Sequence, residues 1–278
     1  MSEVRRALVT LKGVTSPCLE AGAGPEAVLF VHGNPGAAED WRELVAAAGE
    51  FMAAVAPDMP GFGGADKPAD FNYTIEGYAQ HLHALVEHLK LRRIHLVLHD
   101  FGGPWGLTYA AQHPEKIASV TLINTGVLRG YRWHFMGRLW RLPLIGEFVM
   151  ATTSRFGFGL VLKRGNPQGL PADAIDRMYR DFDANTRRAV LRLYRASSDV
   201  EGYSNGVRDA LLPRDIPALV LWGRHDVYIP SVYAWRQRET FPSAEVLMLP
   251  DSGHFPHLDD PRAVEGPLTS FLLEHMKP

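Results

Sequence analysis

The chain is short of the features that mark most specialised protein classes. Cysteine is nearly absent: Cys18 stands alone among 278 residues. No intramolecular disulfide can form, which excludes a stapled secreted scaffold and suits a reducing compartment. No apolar run approaches the roughly 18 residues that a membrane span requires. The opening Met-Ser-Glu-Val-Arg-Arg leads into no apolar signal-peptide core. Charge of one sign is also missing. Lys and Arg number 29 against 31 Asp and Glu, a formal net charge of −2, so no chain-wide field gathers nucleic acid or acidic membranes. Gly and Pro, 26 and 20 residues, stay below the roughly 25–30% of low-complexity sequence. No repeat of solenoid period is present. A soluble cytoplasmic protein, monomeric or homodimeric, without a membrane span or a nucleic-acid partner, is the expectation.

What is present is an ordinary globular composition, 46% apolar and 22% charged, at a length suited to one large domain or two small ones. Short apolar runs recur at Ala27–Val31, Ile94–Leu98, Val120–Asn124, Ala218–Trp222 and Val246–Leu249. Continuous apolar runs of this length suit strands buried on both faces, and hence a parallel sheet. Between them, Ile75, Tyr78, Ala79, Leu82, Leu85, Val86 and Leu89 follow helical spacing. Strands alternating with helices predict a doubly wound α/β fold.

That alternation breaks between residues 126 and 212, which read as helical and aromatic-rich. Thirteen arginines and one lysine face eight acids there, a net charge of +6 against −8 for the rest. Solvated helix faces are the plain explanation. The functional one is a helical cap (126–212) inserted into a core of residues 1–125 and 213–278, holding positive potential above a site.

Open α/β sheets do their chemistry at the carboxyl ends of the strands. His32-Gly33-Asn34-Pro35 follows the first run, and His99-Asp100-Phe101-Gly102-Gly103 follows the second. Gly223-Arg224-His225-Asp226 and Ser252-Gly253-His254-Phe255 follow the last two. The Asp100 segment has the strand–turn–helix layout of a nucleophile elbow, with a carboxylate where serine usually stands. Leu98 is bulky where a small residue is common, which predicts a looser elbow. Asp100, Asp226 and His254 then keep the chain order nucleophile, acid, histidine. His254 is the candidate base and Asp226 its orienting acid, while the backbone N–H groups of Asn34 and Phe101 are the candidate oxyanion hole.

On these motifs, together with Gly61-Phe-Gly-x-x-Asp-Lys-Pro68, the chain resembles the α/β-hydrolase superfamily over nearly its whole length. More narrowly it resembles the aspartate-nucleophile branch of epoxide hydrolases and haloalkane dehalogenases. An ionised carboxylate displaces a leaving group from saturated carbon directly, giving an alkyl ester that a histidine-activated water hydrolyses. The resemblance implies a small apolar epoxide or alkyl halide as substrate, with water and no cofactor. Dehalogenases place a Trp after the nucleophile; here the phenyl side chain of Phe101 offers no N–H, although Asn34 matches, and Trp133 or Trp140 could supply a halide donor. Epoxide hydrolases use two cap tyrosines as acids, for which Tyr194 and Tyr131 are the candidates. Epoxide opening is therefore the leading expectation and dehalogenation its alternative. A catalytically silent ligand-binding member of the fold is a third reading, opposed by the intact Asp100, Asp226 and His254 set. Trp105 reads as core and His99 as structural. Histidines 81, 83, 88 and 95 lack metal-ligand spacing and are expected at exposed helix positions, with no metal site.

Overall fold

The computed structural model describes residues 2–277. Its spine is a sheet of eight strands: β1 (Arg5–Leu11), β2 (Val14–Ala21), β3 (Glu26–Val31), β4 (Ala53–Pro57), β5 (Arg93–His99), β6 (Ile117–Ile123), β7 (Ala218–Gly223) and β8 (Glu245–Leu249). They lie in the order β1-β2-β4-β3-β5-β6-β7-β8. From β4 to β8 every pairing is parallel. The opening hairpin, which the apolar-run pattern did not reveal, adds two antiparallel pairings at one edge. It turns on Lys12 and Gly13, both at positive φ, the backbone that tight two-residue hairpins require.

Helices cover both faces. α1 (Arg42–Ala48), α2 (Ile75–His88) and α3 (Gly102–Gln112) connect the early strands. β6 is then followed by α4 (Phe135–Arg141), α5 (Ile145–Thr152), α6 (Arg155–Gly165), α7 (Ala172–Asp181), α8 (Ala184–Ala196) and α9 (Val200–Leu211) before β7 begins. α10 (Val232–Arg236), α11 (Pro256–Asp259) and α12 (Pro261–His275) complete the chain. Alternate residues of β3 enter opposite cores, because successive strand side chains point to opposite faces. Ala27, Leu29 and Val31 join the α2–α3 side, while Val28 and Phe30 pack with α1 and α12. Burial on both faces is why the central strands read as unbroken apolar runs.

Two expectations about histidine need correction. His95 sits on β5, fully buried, with Nδ1 2.7 Å from Ser119 Oγ and Nε2 2.9 Å from Glu26. His81 is on α2 but on its buried side, edge-on to Phe71. Neither is at an exposed helix position: His81 falls on the inward phase of α2, and His95 lies on a strand buried on both faces. Trp105 is core as expected, stacked on Tyr78 at 4.0 Å. Among the described residues no helix is long and apolar enough to cross a membrane, and no cluster of metal-ligating side chains forms.

Candidate active site

Asp100 directly follows β5 in the left-handed region, at φ +48, and Phe101 after it caps the start of α3. Such a turn is strained for a residue with a Cβ, and close backbone packing holds it. A Cβ on Gly102 would meet the Val31 carbonyl oxygen at 2.1 Å, and one on Gly103 the Thr125 hydroxyl at 2.0 Å. Thr125 Oγ1 in turn donates to the Asp100 carbonyl at 2.5 Å. Leu98 does not loosen the elbow, since its side chain fills the space left by Gly106, where a Cβ would lie 2.4 Å from Leu98 Cδ2. The small residue has moved one turn along the helix.

The strand ends bring the expected residues together. Asn34 N–H donates to Asp100 Oδ1 at 2.7 Å. A Cβ on Gly33 would lie 2.4 Å from the same oxygen and 2.6 Å from Phe101 N, so these groups surround one small volume that only glycine leaves open. The other carboxylate oxygen, Oδ2, is 3.5 Å from His254 Nε2. His254 Nδ1 is 2.8 Å from Asp226 Oδ2. Asp226 is itself fixed: Oδ1 accepts from the Tyr228 and Ile229 amides at 2.7 and 3.0 Å, and Oδ2 also accepts from Asn124 Nδ2 at 2.7 Å. Asn124, at positive φ on the tip of β6, accepts from Gly223 N–H as well. Its supporting place was not legible in the sequence, where it reads as the last residue of a strand.

Electrostatics follow from this enclosure. Burial opposes the charge on His254, but the carboxylates of Asp226 and Asp100 outweigh it and raise the imidazole well above its ordinary value. Burial likewise pushes the Asp100 carboxyl up, yet its hydrogen bond and charge interaction with His254 dominate and hold it below the usual range. His99, driven down to about 3 chiefly by burial and also by the charge of His254, is neutral. Its Nε2 lies 2.7 Å from the His254 carbonyl, so it supports the loop carrying His254.

Facing this group is an apolar cavity of about 300 Å³, lined on the far side by Met136, Trp140, Val149, Phe158 and Leu162 from α4–α6. Tyr194, on the buried face of α8, brings its hydroxyl to 3.5 Å from Asn34 Nδ2 and 3.5 Å from His134 Nε2. Burial raises this phenol well above its ordinary value, so it stays protonated. Tyr131 is placed differently. Its hydroxyl donates to the Tyr228 carbonyl at 3.1 Å and accepts from the His134 amide at 3.4 Å, so its polar end is engaged with backbone.

The second side chain beside Tyr194 is instead His134, which sequence reading missed. His134 caps α4, its Nδ1 accepting from Gly137 N–H at 3.2 Å. Burial lowers it to about 4, leaving the imidazole neutral. With Nδ1 committed as an acceptor, the proton is assigned to Nε2, which therefore donates toward Tyr194 and the cavity. A histidine three residues before a glycine at a helix start was the one available signal.

α6 also reaches His254. His254 N–H donates to the Gly165 carbonyl at 2.8 Å. Phe255 N–H donates to Asn166 Oδ1 at 2.8 Å, while Asn166 Nδ2 binds the Leu162 carbonyl. A Cβ on Gly253 would come within 2.0 Å of Gly165 O, so the two segments are in close contact.

Comparison with known proteins gives the family of the chain. The family model described as alpha/beta hydrolase fold matches residues 26–261. The chain is 30% identical to a cis-3-alkyl-4-alkyloxetan-2-one decarboxylase of Shewanella oneidensis over 253 residues, 83% of this chain and 76% of that protein. It is 27% identical to haloalkane dehalogenase 2 of Mycobacterium tuberculosis over 259 residues, 87% and 86% of the two chains. The solved epoxide hydrolase CorEH superposes with a TM-score of 0.84 at 18% identity over 98% of this chain and 99% of its own, a likeness of fold.

Proposed function

This chain belongs to the α/β-hydrolase fold family, related to haloalkane dehalogenases and epoxide hydrolases, and on that premise we propose that it opens epoxides to vicinal diols through an ester on Asp100. The observation that carries this reading is the pair of donors, Tyr194 O–H and His134 Nε2–H, 3.5 Å apart in the wall of the cavity that holds Asp100. An epoxide oxygen leaves as a strongly basic alkoxide, so it needs a proton as the ring opens. The α4–α9 segment acts as the cap that supplies this acid.

In the first step Asp100 Oδ2 attacks a ring carbon, the C–O bond breaks, and Tyr194 gives its proton to the departing oxygen while His134 shares the hydrogen bond. Asp100 Oδ1, now the ester carbonyl, stays at the Asn34 amide. In the second step His254 takes a proton from water as the water oxygen adds to that carbonyl carbon, and the oxyanion is held by the Asn34 and Phe101 amides. Collapse releases the diol and restores the carboxylate. At rest His254 is charged beside the two carboxylates. Esterification removes the Asp100 charge, so the His254 proton passes through solvent to the Tyr194 phenolate before water attacks. The new hydroxyl's proton goes to the departing alkoxide, and the cycle ends with His254 charged again, so epoxide plus water balances to diol. Asp226 orients His254 and stabilises its charged form.

A second reading rests on Trp140. Its indole N–H is buried without a hydrogen-bond partner in the wall of the same cavity, and with Asn34 Nδ2 it offers two neutral donors suited to a halide. The related oxetanone decarboxylases make a strained lactone ring a third substrate for the same carboxylate.

Purified protein should be assayed in parallel on styrene oxide, 1-bromobutane and a cis-3,4-dialkyl oxetan-2-one, scoring diol, bromide and carbon dioxide. Diol formation well above the other two products supports the proposal, and bromide or carbon dioxide without diol replaces it. His254→Gln incubated with styrene oxide should gain one substrate mass on Asp100. Turnover without any adduct would remove the ester intermediate.

A further inference from the structure

The outer surface of α4–α6 is unlike the rest of the molecule. Leu144 is 83% exposed, Phe156 81%, Phe148 69% and Phe135 64%, and Leu142, Ile145 and Leu160 are exposed as well. Single exposed apolar residues are ordinary, but so many large ones concentrated within residues 135–161 point to an interaction site. They come from one stretch of chain: Phe135 and Leu142 on and just after α4, Leu144, Ile145 and Phe148 at the start and middle of α5, and Phe156 and Leu160 one turn apart on α6. The same three helices wall the cavity, whose rim includes the exposed Thr152, Ser154 and Val161. Val161 belongs to both, an exposed apolar residue that also lines the cavity.

Charge distinguishes what covers it. Residues 135–165 carry Arg138, Arg141, Arg155, Lys163 and Arg164 against one acid, Glu147, in a chain whose net charge is −2. Glu147 is paired with Arg195, and Arg155 with Asp176. Among the described residues Arg138, Arg141, Lys163 and Arg164 have no ion-pair partner within 4 Å. A two-fold contact with a second copy sets a patch against itself, which would bring these four cations against their own equivalents. An anionic bilayer meets both halves of the pattern, apolar side chains entering the acyl boundary and cations remaining among the headgroups.

We propose that the α4–α6 face docks on anionic lipid surfaces, placing the mouth of the cavity against the membrane so that apolar substrate enters from the bilayer. The docking does not rest on which leaving group the site handles, and its test needs no turnover. Full-length protein is sedimented with vesicles of phosphatidylglycerol and phosphatidylcholine in equal parts, and with pure phosphatidylcholine. The expected result is binding to the anionic vesicles, much weaker binding to the neutral ones, and release by high salt. Arg138→Gln with Lys163→Gln should weaken binding by about twenty-fold, taking roughly fivefold for each cation near the surface. Phe148→Ser with Phe156→Ser should weaken it further, because the apolar contact is lost. All four side chains lie outside the cavity wall, and unchanged thermal midpoints verify the fold. Absence of sedimentation with anionic vesicles, or equal binding by the variants, overturns the proposal. So does a concentration-dependent dimer in sedimentation velocity that Phe148→Ser with Phe156→Ser dissolves, since the face would then belong to a second copy.

Discussion

Replacing Asp100 by Asn should make His254 a much weaker base, and the size of the change follows from one distance. Nε2 and Oδ2 are 3.5 Å apart. Two unit charges at that separation interact by about 5 kcal/mol at an effective dielectric constant of about 20, or between about three and four pH units. Asp226 remains 2.8 Å from Nδ1 in the variant and keeps part of the elevation. The expected fall is therefore about two to three units from a starting value of about 10. Asn is also a neutral stand-in for the esterified side chain. The same fall is what would release His254 as a free base once the ester has formed, and not before. NMR titration of ring-labelled histidine in both proteins measures it. A His254 midpoint that moves by less than about half a pH unit would refute this coupling. The sign for stability is separate. A histidine raised in the folded state stabilises the fold fully below its unfolded value of about 6.5 and loses that contribution as pH rises through about 10. Asp100→Asn should bring this alkaline loss to lower pH, visible in thermal midpoints against pH.

Three further outcomes follow from contacts in the site. Tyr194→Phe should slow epoxide opening by about 10²–10⁴-fold while sparing any bromide release; equal loss on both substrates, measured as burst rates, would deny it an acid role. Asn166→Ala removes the acceptor of Phe255 N–H, so ester hydrolysis should slow while ester formation persists. Mass spectrometry at steady state should then find Asp100 alkylated, and an unmodified enzyme with lowered turnover would contradict this. Gly106→Ala forces a Cβ against Leu98, costing about 1–3 kcal/mol by overpacking. Adding Leu98→Ala should relieve that clash, and a denaturant-derived coupling energy near zero would mean that Leu98 does not fill the gap.

The candidate residues at the tips of strands were readable because their signal is local. Asp100 stands between an apolar run and two glycines, and His254 between glycine and an aromatic; the turn chemistry that exposes each is written within about five residues. The parallel sheet was legible for the same reason, since strands buried on both faces must be apolar throughout. The opening hairpin was not, because its strands carry charges at Arg5, Arg6 and Glu20 that a partly exposed edge permits.

The sequence alone determined the order of the candidate nucleophile, acid and base, and the sheet that carries them, because local turns and unbroken apolar runs demand those residue types. Only the tertiary structure decided which donors face Asp100. His134 became one when helix capping committed Nδ1 to Gly137 and burial removed its charge, while Tyr131 lost its free hydroxyl to a backbone carbonyl 97 residues away. Side-chain direction depends on packing between segments distant in the chain, and periodicity within a segment carries no record of it.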